Sequence, residues 1–403
     1  TLRNMRHYIR TAHGDSAQYY EGTPSKPLQG GGQGNGAAGP MWIAISIILL
    51  SILATVPFNA TIVSAISLAT ITFSVIMYVD DTNLLIIGDE HDDADTLTSK
   101  AQTMIDKWCS ALWITGGCLR PDKCWWYLIQ FEWLPNGKWK YSTTDNKSAD
   151  IWIPDETRTS RQIERCAPNV GRKTLGTFLA PDGNNNEQLK SMTAVTDEWA
   201  NKIKRSCMSR FSANTSVRTT IIKTLSYPTA AITITEKECN GLMTKIKSAA
   251  LPKMGMNRRI GNAYLYGPKR YQGLEFPNLY TELCVERVQM LLKHGGRTTQ
   301  LGISLTSILE GHQLEIGIGA MLFDLNYEKY GFLITDSIIK HTWKMLHETG
   351  LHIETTHSPP WLTRDNDSFL MEEIIDKTDY GISELQAINR CRMYLNVVSV
   401  SDI

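Results

Sequence analysis

The chain has 403 residues, with 41 Lys/Arg balanced by 41 Asp/Glu, and 42% of its residues are hydrophobic. This length holds two or three domains, and the composition excludes a disordered or low-complexity chain. The zero net charge hides an asymmetry. Fourteen Lys/Arg face only Glu236 and Glu238 between Lys202 and Arg270, whereas ten Lys/Arg face eighteen Asp/Glu from Tyr271 to the end. A basic block of this kind is expected to meet a polyanion.

The eight cysteines show neither Cys-x-x-Cys nor zinc-finger spacing. They are expected to be reduced thiols of an intracellular protein, cytoplasmic or nuclear. The first residue is Thr and no signal peptide is recognisable, so the chain is expected to begin inside a longer reading frame.

Residues 1–26 are expected to form a helix and then a loop containing Ala12-His13-Gly14-Asp15-Ser16. Residues 28–40 read as a glycine-rich loop, with Pro40 opening an apolar helix at a favoured first-turn position. No charge occurs between Pro27 and Val79, so a membrane hairpin is an alternative. Its two apolar runs, Met41–Val56 and Ile62–Val79, each fall short of the roughly 20 residues of a spanning helix. Pro57 and Asn59 divide them, and no Lys/Arg cluster flanks them to set an orientation. A core helix and a central strand are the expectation, with no membrane partner.

The most informative feature is Tyr78-Val79-Asp80-Asp81. Ile71–Met77 before it and Thr82–Gly88 after it are β-rich, so the spacing predicts a hairpin with two carboxylates at its tip. An amphipathic helix follows, with Leu97, Ala101, Met104, Ile105, Trp108 and Leu112 on one face. Asp92 or Asp93 is expected to cap it and Gly116-Gly117 to end it. The acidic residues of 89–95 are read as a solvated helix start. Trp125–Phe131 and Lys138–Tyr141, separated by Pro135-Asn136-Gly137, predict a second hairpin, with its tryptophans as packing. A strand is expected over Arg172–Ala180, and from Glu187 onward the pattern is mostly helical.

The Tyr-x-Asp-Asp hairpin resembles the palm of reverse transcriptases. Gln33-Gly34-Asn35-Gly36-Ala37-Ala38-Gly39-Pro40 is similar to that family's Gln-Gly-x-x-x-Ser-Pro loop, with Gly39 in place of Ser and one extra residue. Gly117-Cys118-Leu119-Arg120-Pro121-Asp122-Lys123 resembles the segment that carries its mobile lysine. The Gln-Gly-Asn-Gly loop, Val-Asp-Asp-Thr and Trp126–Ile129 look most like retroelement enzymes of diatoms and other algae.

The resemblance implies an α+β chain. Residues 1–150 would be a partial polymerase palm, an antiparallel sheet with packed helices, and 151–190 its strand-rich end. Residues 191–353 would be a helical thumb- or connection-like region, and 354–403 a linker with a C-terminal helical region. It implies RNA-directed DNA synthesis by two-metal phosphoryl transfer, with Mg²⁺ (or Mn²⁺) on Asp80 and Asp81. Lys123 would act at the pyrophosphate, and Tyr78, Gln33 and Gly34 would lie against primer, template or nucleotide. The partners would be an RNA template, a DNA primer and deoxynucleoside triphosphates. The family also needs an aspartate on an earlier strand. Residues 1–27 hold only Asp15, in a loop-like context, so the chain alone is expected to be inactive. The alternative within this reading is a decayed retroelement product that binds nucleic acid without catalysis.

Overall fold

The computed structural model describes residues 6–11, 14–21, 38–89, 91–135, 137–142, 149–353 and 361–403. It is a mixed α+β protein. The strands are β1 (His7–Thr11), β2 (Gly14–Tyr20), β3 (Ala60–Val63), β4 (Thr70–Phe73), β5 (Val75–Tyr78), β6 (Asp81–Leu84) and β7 (Trp125–Tyr127). They continue as β8 (Phe131–Trp133), β9 (Trp139–Tyr141), β10 (Trp152–Pro154), β11 (Ser160–Gln162), β12 (Glu164–Cys166), β13 (Arg172–Thr174) and β14 (Thr177–Leu179). Among the described residues they form seven two-stranded sheets rather than one continuous sheet. The helices used below are α1 (Ala38–Leu53), α2 (Ala94–Ile114), α3 (Asn186–Arg205), α4 (Arg210–Ser216), α5 (Glu236–Lys253), α6 (Leu279–His294), α7 (Gln300–Ile316), α8 (Ile338–Thr349), α9 (Leu370–Lys377) and α10 (Ile382–Tyr394).

The chain divides into two compact units. The first holds residues 1–61, 72–128 and 144–166, and the second 62–71, 129–143 and 167–403. In the first unit α1 and α2 share a core of Leu49, Leu53, Val56, Met104, Trp108 and Ala111. Val75, Met77 and Leu84 of the β5–β6 hairpin pack on it, while Ile76 and Tyr78 point outward. Period-two alternation thus seats the hairpin on the helix pair. Asp93 caps α2 by accepting the Thr96 amide at 2.8 Å, and the helix ends before Gly116 at φ +84°. An adjacent side of α2, with Ala101, Ile105 and Cys109, covers Ile151, Ile153 and Ile163.

The second unit has two helical cores. One is built on α3 and α5, with Trp199, Ile203, Met243 and Ile246 among its buried residues. The other gathers Leu309, Ile316, Trp343, Leu346 and Met371 from α7, α8 and α9. Buried Glu310 of α7 accepts the amides of Ile66 and Ser67 at 2.8 and 2.9 Å. Among the described residues no helix is long and apolar enough to cross a membrane. The apolar α1 has 16 residues and rises about 24 Å, short of a bilayer's hydrocarbon core. All eight cysteines are free.

Several sequence expectations change. His7–Thr11 and Gly14–Tyr20 pair as antiparallel strands in place of the expected helix and loop, and Asp15 stands on a strand, while Ala12 and His13 lie outside the described residues. Gly14 opens β2 at φ +112°, a conformation glycine adopts readily. The expected strand 71–77 is broken at Ser74, because β4 pairs with β3 while β5 pairs with β6. β7 pairs in parallel with β12, so the second hairpin is formed by β8 and β9 alone. The strand expected over 172–180 is itself a hairpin, turned at Leu175 (φ +49°) and Gly176 (φ +86°).

Candidate functional site

The β5–β6 hairpin carries the first candidate site. Its register pairs Tyr78 with Asp81, which leaves Val79-Asp80 as a two-residue turn. Val79 adopts φ +56°, a left-handed conformation that a β-branched residue rarely tolerates. The indole of Trp42 in α1 donates to the Val79 carbonyl at 2.9 Å. That bond and the packed inner face of the hairpin hold the strained turn in place. Tyr78, Val79, Asp80 and Asp81 are all exposed.

The two carboxylates are hard oxygen donors open to solvent, a donor set that fits Mg²⁺. Among the described residues no group of three or more His, Cys, Asp or Glu side chains converges as a metal site. Asp15 is engaged elsewhere, accepting from Arg10 Nε and Nη2 at 2.6 and 2.9 Å. Asp89, Asp92 and Asp93, just before α2, are engaged by α2 itself. Lys100 pairs with Asp92 and Asp89 at 2.5 and 3.2 Å, and Asp93 is the cap.

Lys123 ends the short helical turn Pro121–Lys123 and is exposed. Among the described residues no hydrogen bond or ion pair joins it to Tyr78, Asp80 or Asp81. Beside it, Leu119, Arg120, Asp122, Asp155, Glu156 and Arg161 line an open cavity of about 390 Å³. Arg120 pairs with Asp122 and Glu156, and Arg161 with Asp155, so both cations are paired within the cavity. Gln33 and Gly34 lie outside the described residues.

The basic block resolves into paired and unpaired cations. Lys202, Lys223, Lys245 and Lys269 are held by Glu198, Glu282, Asp197 and Glu275. Arg218 donates to the carbonyls of Leu274 and Glu275. Lys204, Arg205, Arg210, Arg258 and Arg259 are exposed and have no acidic partner among the described residues. The chain brings them together. Lys253 at the end of α5 donates to the Ser206 carbonyl just beyond α3, at 2.7 Å. Gly255 leaves room for the Arg210 guanidinium, since a Cβ there would lie 2.8 Å from its Cζ. The ends of α3 and α5 and the start of α4 therefore present one cationic surface.

A second polar network, His312 between Glu315 and Ser337 at 2.7 Å each, has the connectivity of a nucleophile relay. Ser337 is instead the N-cap of α8, accepting the Lys340 amide, and Glu315 also accepts from Thr335. The network fastens a loop. His341, Trp343 and His347 are likewise structural, with Trp343 buried and donating to the Leu325 carbonyl.

No protein-family model, curated protein or solved structure matches the chain.

Proposed function

We propose that the chain is a segment of an RNA-directed DNA polymerase, with the β5–β6 hairpin as the metal-binding part of its palm. The observation that carries this reading is the strained Val79 turn, which displays Asp80 and Asp81 and is fastened by Trp42. Backbone strain kept by surrounding packing is a mark of functional turns. Asp80 would be the principal Mg²⁺ ligand and Asp81 the supporting one. When bound, Mg²⁺ supplies charge neutralisation at the reacting phosphates and activation of the primer hydroxyl. Tyr78 would pack against the primer end, and Lys123 would donate a proton or positive charge toward the leaving pyrophosphate. The cationic surface of the second unit would hold the phosphate backbone of primer and template.

In any form of the protein that extends a poly(A)–oligo(dT) primer, extension should vanish in Asp80→Asn and fall severely in Asp81→Asn. Full extension by Asp80→Asn would sink the assignment. A second reading, nucleic-acid binding without catalysis, is favoured by the lack of a third carboxylate beside Asp80 and Asp81 among the described residues. Residues 1–403 alone should then bind duplex yet incorporate no nucleotide.

A further inference from the structure

Helix α4 carries both a cation and a bare ring of the cationic surface. Its inner side is set by Ala213 and, just beyond its end, Val217, both buried, with Val217 in the core built on α3 and α5. Phe211 stands two positions before Ala213, which turns it about 200° away from that inner side. It is 78% exposed and makes no ring contact among the described residues. Its neighbour Arg210 places its guanidinium against Gly255, so the ring and the cationic surface share one location. Beyond the other end of α4, Arg218 donates to the carbonyls of Leu274 and Glu275 at 3.3 and 2.6 Å. Residues 255–275 are thereby fastened beside α4 at both ends. They carry Arg258, Arg259, Tyr264 and Tyr271, all exposed. Cations and rings alternate along this segment as they do in Arg210-Phe211.

We infer that this surface takes the unpaired bases of a single nucleic-acid strand as well as its phosphates, with Phe211 as the ring on which a base stacks. Charge identifies the occupant as a polyanion. Between Lys202 and Arg270 the only acids, Glu236 and Glu238, stand at the start of α5, about 20 Å along the helix from Lys253 at its end. The ring then selects among polyanions. In a duplex the faces of the bases are covered by their neighbours, whereas a single strand offers them bare, and stacking tolerates every base. The inference rests on the reading of the cationic surface as a nucleic-acid site.

The test measures fluorescence anisotropy of three probes of equal length on the full chain: oligo(dT), an abasic strand with the same phosphates but no bases, and a duplex. Phe211→Ala should weaken oligo(dT) binding roughly tenfold and leave the abasic strand and the duplex unchanged. Phe211→Trp, which keeps a ring, should retain most of the affinity, and Phe211→Leu, which keeps apolar bulk without a ring, should lose it. The side chain is exposed, so all three variants should melt with the parent. Unaltered oligo(dT) affinity in Phe211→Ala, or an equal loss on the abasic strand, would overturn the stacking role while sparing the cationic surface. Binding of no probe by the parent chain would overturn both. A dimer in sedimentation that Phe211→Ala dissociates would assign the ring to a second copy of the chain and overturn the proposal.

Discussion

The cationic surface makes a quantitative prediction. Five exposed cations, Lys204, Arg205, Arg210, Arg258 and Arg259, have no acidic partner among the described residues. If each neutralises one phosphate, the logarithm of the duplex affinity should fall with the logarithm of salt at a slope of about −4.5, from roughly 0.9 per contact. Between 50 and 200 mM salt the affinity should therefore drop roughly 500-fold. The double variant Arg258→Gln/Arg259→Gln removes two contacts, so its slope should be about −2.7 and its loss over the same range roughly 40-fold. Both side chains are exposed, and the turn that carries them is closed by Asn257, whose Oδ1 accepts the Arg259 amide at 2.8 Å and whose carbonyl accepts the Ile260 amide at 3.2 Å. Stability should thus stay within about 0.5 kcal/mol of the parent. Anisotropy of a labelled duplex over a salt series reads the slope directly. Duplexes of different sequence should give the same line, because phosphate contacts carry no base information. An unchanged slope in the double variant, or a slope near zero in the parent, would refute the surface as a phosphate track.

Three further outcomes follow from the packing. Val79→Gly should stabilise the chain by about 1 kcal/mol in urea unfolding, because relief of roughly 1–3 kcal/mol of strain exceeds the entropy cost of glycine; a lower midpoint would contradict a strained turn. Glu310→Ala should cost about 1–3 kcal/mol, since the Ile66 and Ser67 amides lose the acceptor that the buried Glu310 carboxylate gives them. Unfolding near full parental stability would show that those bonds are replaced by solvent. Amide bonds from Ser399 and Val398 hold the Asp402 carboxyl down to about 2, and the Lys100 bond lowers that of Asp92. Folded carboxyls that protonate only at lower pH leave the unfolded chain binding more protons, so stability should fall as pH drops through about 4 toward 2. Melting temperatures that stay flat across that window would count against these bonds.

The parts of the fold that could be read from sequence are those set by local periodicity. The α2 helix declares itself through its apolar spacing and an Asp93 cap, and both survive in three dimensions. The β5–β6 tip was legible because alternation and a polar pair mark a turn. Ser74 hides a change of partner, since a strand's composition is the same whichever neighbour it pairs with. The β7–β12 pairing joins residues 39 apart along the chain, and nothing near Trp125 signals it. At the site, Trp42 was invisible for the same reason, because its partner lies 37 residues away. The basic block was visible as a count of charges. Which cations are spent on Asp, Glu or carbonyl oxygens depends on helices meeting in space.

The hairpin tip and its surroundings pull the chemistry in two directions. An exposed pair of adjacent carboxylates repels itself, and a left-handed valine adds strain, so an unused turn would gain by losing either feature. Their coexistence on a hairpin fixed by Trp42 is what a bound cation would compensate. Yet two carboxylates offset the mutual repulsion of two divalent ions a few ångströms apart only in part, because each ion carries twice the charge of a carboxylate. The remainder must come from substrate phosphates and another carboxylate. Asp15, though on a strand, is held by Arg10 through two bonds in this structure. Arg10 is exposed, so that ion pair costs little to open and its present geometry reflects a local preference rather than a buried commitment. In the proposed reading, a metal site here would turn on which carboxylate comes to lie beside Asp80.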